Sequence, residues 1–176
     1  MATEQDKTQE GIQTAIQMEI DGKKFYLKAS QESSHEMGKE LLKSLAAEED
    51  IHRKKFEKIY EEIRNKKDWP KVDFQPDGGK RLRTILVKAI ESIATDIKAA
   101  VTELHVVQTA IDMESKTYDF YKTQGKNTAY GATQDFFEAL AAEEREHHLV
   151  LLDYYEYLKD PAAWFVNKEH PSLDGV

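Results

Sequence analysis

Six residues have the types and spacing to do chemistry together: Glu19, Glu49, His52, Glu114, Glu144 and His147. Glu49 and His52 form one Glu-x-x-His and Glu144 and His147 a second, each with a lone Glu 30 residues upstream, Glu19 and Glu114 respectively. Helical positions three apart share a face, so each Glu and His can aim at one target. An antiparallel hairpin would set the lone Glu beside that pair. Two such hairpins facing each other collect four carboxylates and two imidazoles, the donor set of carboxylate-bridged two-metal sites in helical bundles. Two Glu can bridge the metals while each metal keeps one His and one terminal Glu. Hard, oxygen-rich donors suit Fe or Mn, whereas Cu or structural Zn normally take softer or more nitrogen-rich sets. A single Glu-x-x-His in so acidic a chain could be a solvated helix face with an incidental His; two in matched phase, each with its partner Glu, point to a site.

The matched phase is part of a longer repeat. A shift of 95 positions lays MEIDGKKFY (Met18 to Tyr26) on MESKTYDFY (Met113 to Tyr121), and SLAAEEDIH (Ser44 to His52) on ALAAEEREH (Ala139 to His147). Two helix pairs therefore read as copies of one hairpin. The six residues run in phase with Ile12, Ala15, Leu45, Phe56, Ala110, Leu140 and Leu151, which should form the core. Four carboxylates crowded inside a bundle repel one another and lose hydration, and two divalent cations would cancel their charge.

Neighbouring residues have two readings each. Glu48 and Glu143 could accept a hydrogen bond from an imidazole N–H, or be plain surface acids. Tyr26 and Tyr121 stand two turns after Glu19 and Glu114. Core packing is the plainer role for them; hydrogen bonding near the metals, or carrying oxidising equivalents, is the other. Gly22 costs its helix about 1 kcal/mol relative to Ala, which suggests a need for space, either for a small oxidant or for close helix packing. His148 belongs at the rim, and His35, His105 and His170, without an acid at ligand spacing, should be solvated.

The elements that must position these groups are helices. Apolar residues recur at steps of three and four from about Glu10 to Ser33-Ser34, and again from about Met37 to Ile63. Residues 65 to 80 break the pattern through Pro70, Pro76 and the turn Asp77-Gly78-Gly79. A long crossover is expected there, since an up-down hairpin needs only a short link. A short helix over 82–94 should present Leu82, Ile85, Leu86, Ala89 and Ile93, with Thr95 or Asp96 capping the next element. The third main helix should cover Thr102 to Lys122, with a turn at Gly125, Asn127 and Gly131. The fourth should run from Thr133 to Leu158 and stop before Pro161. Trp164 and Phe165 in the tail should pack back on the bundle. The expected architecture is all-α, one domain over 1–176, with hairpins about 10–64 and 102–158, a crossover with short helix over 65–101 and a tail over 159–176.

Composition narrows the function. With 176 residues, 40% hydrophobic and 33% charged, the chain has the make-up of a globular domain. It contains no Cys, which excludes disulfides, Fe–S clusters and thiol chemistry. A net charge of -8 and no long basic block argue against nucleic acid as a partner. No apolar run reaches the length of a membrane span, and Met1 to Gln9 lack a signal pattern, so the expected compartment is the cytoplasm.

At its two EExxH segments the sequence resembles the rubrerythrin branch of the ferritin-like superfamily. The resemblance runs through Glu19, Glu49/His52, Glu114 and Glu144/His147 and extends to the ending WFVNKEHPSLDG, Trp164 to Gly175. It implies a ferritin-like four-helix bundle with two iron ions per site, for which Mn or Zn can substitute, and an oxidoreductase that reduces hydrogen peroxide or dioxygen. It also implies a homodimer. Two departures stand out. Without Cys, the rubredoxin-like iron domain that usually feeds electrons is missing, so an external electron-donor protein is expected. Thr117 occupies the position, one turn after Glu114, where many rubrerythrins carry an extra carboxylate; the six-ligand set is closer to ferritin or bacterioferritin. A ferroxidase or iron-handling role is the alternative, and a purely structural or interaction bundle the third.

Overall fold

The computed structural model describes residues 4–66, 75–91, 101–128 and 131–169, and all the regular structure among them is helical. Six helices occur in chain order: α1 Glu4–Glu32, α2 Glu36–Lys66, α3 Lys80–Glu91, α4 Val101–Asn127, α5 Gly131–Lys159 and α6 Pro161–Glu169. α1 packs along α2 and α4 along α5, forming two hairpins, and α1 also meets α4. α3 lies against α2 and α5. This is an all-α, ferritin-like bundle.

Each hairpin buries one stripe. Ile12, Ala15, Leu45, Phe56, Ala110, Leu140 and Leu151 are all fully buried, as their phase requires. The apolar core divides into two clusters. One holds Leu41, Leu45, Leu82, Leu86, Val107, Leu151 and Tyr154; the other holds Ile12, Phe56, Ile59, Phe136, Phe137 and Leu140. Between them sit the carboxylates and imidazoles.

Local chemistry explains the boundaries. Ser33 N–H donates to Ala29 O as α1 closes, and α2 opens with Glu36 at its positive end. Gly78 and Gly79 both take positive φ, 66° and 70°, and Asp77 Oδ2 accepts from Arg81 N at 3.3 Å to cap α3. Leu82 and Leu86 are buried and Ile85 is half-buried, as expected of this face; Ile93, the capping candidates Thr95 and Asp96, and Pro70 lie outside the described residues.

Four expectations are corrected. α1 begins at Glu4 rather than near Glu10, because its first two turns are polar and show no apolar stripe. α4 continues through Gly125 to Asn127, so Gly125 is not a turn residue; a Cβ there would stand 3.5 Å from Phe137 Cβ on α5, an ordinary packing distance. The segment after Lys159 forms a further helix, with Asp160 Oδ1 accepting from Ala163 N at 2.9 Å and Pro161 at the first helical position. Trp164 packs edge-on against Tyr157, and its indole N–H donates to Asp153 at 2.9 Å, so the tail does dock on α5. His35 is the fourth. It is not a free, solvated residue, since its Nε2 lies 3.6 Å from Glu103 Oε2.

Candidate metal centre

All six residues singled out by spacing meet at one level of the bundle, each 4% exposed or less. α1 contributes Glu19, α2 Glu49 and His52, α4 Glu114, and α5 Glu144 and His147. Two groups have donor atoms mutually within 4.8 Å: Glu49, Glu114, Glu144 and His147, and Glu19, Glu49 and His52. Glu49 belongs to both.

Glu144 also faces both sides. Its Oε1 lies 3.2 Å from His52 Nδ1 and its Oε2 lies 3.6 Å from His147 Nδ1. His52 Nδ1 is 3.5 Å from Glu19 Oε2, and His147 Nδ1 is 3.4 Å from Glu49 Oε1 and 3.6 Å from Glu114 Oε2. The two imidazoles lie nearly parallel, 13° apart, with centroids separated by 5.7 Å. Every one of these nitrogens is Nδ1, so both histidines present the same atom to the cluster.

The two tyrosines cross between hairpins. Tyr26 Oη on α1 donates to Glu114 Oε1 on α4, and Tyr121 Oη on α4 donates to Glu19 Oε1 on α1. Both rings are also buried in the apolar clusters, so packing and hydrogen bonding coexist in one residue. Glu48 and Glu143 are buried as well, in a group with His147. Glu48 Oε2 is 3.7 Å from His147 Nε2, on the ring edge facing away from the cluster, while Glu143 Oε1 accepts from Gly78 N at 3.2 Å. His148 is half-buried with Nδ1 3.0 Å from Ser115 Oγ, and His105 is exposed. His170 lies outside the described residues.

The electrostatics arise from burial. Desolvation, then repulsion from Glu49, pushes the Glu19 carboxyl well above the usual range. Desolvation and the carboxylates of Glu144 and Glu49 do the same to Glu114. Burial would lower both histidines, but the facing carboxylates outweigh it and hold them well above the ordinary imidazole value. Burial would raise Glu144 too, yet contacts from His147 and His52 win and depress it. Burial and nearby carboxylates raise the two tyrosines, so their hydroxyls stay protonated donors.

Such a set fits divalent cations. Glu19 Oε2, Glu49 Oε1, both carboxylate oxygens of Glu144 and His147 Nδ1 are buried without a hydrogen-bond partner among the described residues. Buried polar atoms normally have partners, and so many orphans converging on one point ask for a ligand. Two cations between the histidines would receive those oxygen and Nδ1 donors and offset the crowded negative charge.

A second polar cluster was not read from the sequence. Glu103, buried on α4, accepts from Ser33 Oγ and Ser34 Oγ at 2.6 Å each and from Tyr154 Oη at 3.2 Å, with His35 beside it. The available signal was phase: Glu103, Val107, Ala110 and Glu114 share one helical face, and all four are buried.

Fold and site together define a ferritin-like helical bundle whose interior fits a di-iron centre. The chain belongs to the rubrerythrin family: the Rubrerythrin family model matches residues 10–103 and 105–172. No curated protein and no solved structure gave a match. No helix among the described residues is long and apolar enough to cross a membrane.

Proposed function

We propose that this protein is a non-haem di-iron oxidoreductase that reduces hydrogen peroxide, or dioxygen, with electrons from an external donor protein. The observation that carries the reading is Glu144, whose two oxygens face two different histidines. One carboxylate in that position can link two metal positions, and Glu49 shares both donor groups in the same way.

When bound, a ferrous pair supplies the two electrons that cleaving an O–O bond requires. The chain's own residues set the stage. His52 and His147, whose Nδ1 atoms face the cluster, would each hold one metal, and Glu48 stands behind His147 on the opposite ring edge. Glu19 and Glu114, oriented by the Tyr121 and Tyr26 hydroxyls, would serve as terminal ligands. Apolar clusters on both sides exclude bulk water and strengthen each of these electrostatic contacts. Reduction of peroxide to two waters consumes two electrons and two protons. With no Cys in the sequence, steady turnover needs electrons from a separate redox protein.

Thr117 favours one other reading. It stands where many rubrerythrins have a further carboxylate, and its hydroxyl donates to Met113 O at 3.2 Å. The remaining symmetric set suits a ferroxidase. Mixing anaerobic diferrous protein with one equivalent of peroxide or of dioxygen, monitored by stopped-flow absorbance, separates the two. Faster oxidation by peroxide, without Fe(III) release, supports the oxidoreductase. Faster oxidation by dioxygen with release or accumulation of Fe(III) moves the protein to the ferroxidase class.

A further inference from the structure

The two hairpins are not equivalent at one position. Three residues after Glu19 stands Gly22; three residues after Glu114 stands Thr117. A Cβ built on Gly22 would lie 2.8 Å from Glu49 Oε2, 3.4 Å from its Cδ and 3.5 Å from its Cγ. The first distance is closer than real Cβ contacts come. The space beside the glycine is therefore no open channel but a place of close packing between α1 and α2, filled by the Glu49 side chain.

The other three cluster carboxylates are held on both oxygens. Glu19 receives Tyr121 Oη on Oε1 and faces His52 on Oε2. Glu114 receives Tyr26 Oη on Oε1 and faces His147 on Oε2. Glu144 faces a histidine with each oxygen. Glu49 faces His147 with Oε1 at 3.4 Å, and its Oε2 rests against Gly22. On that side the carboxylate is bounded by the shape of α1 at Gly22. An added methyl group would have to displace that carboxylate, the movable end of its side chain, while the tyrosine-held carboxylates meet no such contact.

We propose that Gly22 is a positioning residue of the metal centre: its missing side chain reserves the seat from which Glu49 reaches both metal positions. The inference rests on the metal reading above. Gly22 costs the isolated helix stability, and Ala would be the better helix former, so a role limited to the fold and a role in the site predict opposite outcomes for Gly22→Ala.

The test is anaerobic Co(II) titration of metal-free protein, read by visible absorption and by bound metal per chain. Gly125→Ala is the control, because a Cβ there meets only ordinary contacts, the nearest at 3.5 Å. Gly22→Ala is expected to stay helical by circular dichroism, to weaken the second Co(II) at least tenfold and to alter the absorption bands; Gly125→Ala should bind as wild type. Two Co(II) bound to Gly22→Ala with wild-type affinity and spectrum would overturn the proposal. If the wild type itself binds no Co(II), the metal reading fails, and a second measurement still decides the steric part. In metal-free protein, Gly22→Ala should raise the melting temperature more in a Glu49→Ala background than in wild type. An equal change in both backgrounds would show that residue 22 does not hold Glu49 in place.

Discussion

The Tyr121 hydroxyl on α4 donates to Glu19 on α1, the carboxylate of the opposite hairpin, and Tyr26 returns the same bond to Glu114. Each hairpin thus orients a carboxylate of the other. Tyr121→Phe should keep the ring packing against Phe56 and Phe137 and leave Glu19 Oε1 without its buried donor, a cost of about 1–3 kcal/mol. Metal affinity should fall as well, since Glu19 loses its orientation. Tyr157→Phe supplies the contrast, because that buried hydroxyl makes no hydrogen bond among the described residues. Denaturant unfolding and metal titration of both variants check this; equal effects would contradict it.

Metal-free stability should fall as pH rises. Glu19 and Glu114, raised by burial, keep protons that the unfolded chain releases above about 4.3. Their help to folding is full below that value and lost as pH climbs through the folded value. His52 and His147, raised by facing carboxylates, act in the same sense: full below about 6.5 and lost as pH rises. Glu144, depressed, opposes them only at low pH, where its contribution is lost as pH falls. The melting temperature of metal-free protein should therefore decline from about pH 6 to 9, while metal affinity increases because the ligands shed protons on binding. A metal-free melting temperature that is flat or rising over that range would contradict the assignment.

The Glu103 cluster should behave as a structural clasp, separate from the metal centre. It ties the α1–α2 turn, through Ser33 and Ser34, to the first turn of α4 and to Tyr154 of α5. Glu103→Ala would leave three hydroxyls without their acceptor, costing about 2–4 kcal/mol. Glu103 lies eleven residues before Glu114, roughly 16 Å along the helix, so metal stoichiometry should be unchanged at temperatures where the variant is folded. Loss of metal in folded Glu103→Ala would show the two clusters to be coupled.

Local periodicity made part of this molecule legible in its sequence. The phase of Ile12, Phe56, Ala110 and Leu151 gave the buried stripes, and the common 95-residue offset gave two hairpins whose Glu and His residues share a level. Relations between hairpins were not legible. Nothing along the chain says that Tyr26 reaches Glu114 or that Gly22 faces Glu49, because each depends on how the helices pack. Polar stretches also hid structure. The first turns of α1 have no apolar stripe, and α6 is announced only by Asp160-Pro161, a pair that can stop one helix and start another. His35 gave no local sign of its partner because that acid is 68 positions away on another helix.

A two-metal centre that Glu144 and Glu49 would share is tested most directly by a metal count. Metal-free protein should be loaded anaerobically with Fe(II), desalted and assayed for iron per chain beside Glu144→Ala, with circular dichroism to confirm folding. Two Fe(II) per chain in wild type, falling to one or none in folded Glu144→Ala, is the predicted result. Well under one iron per chain in wild type, or two retained by Glu144→Ala, would contradict it.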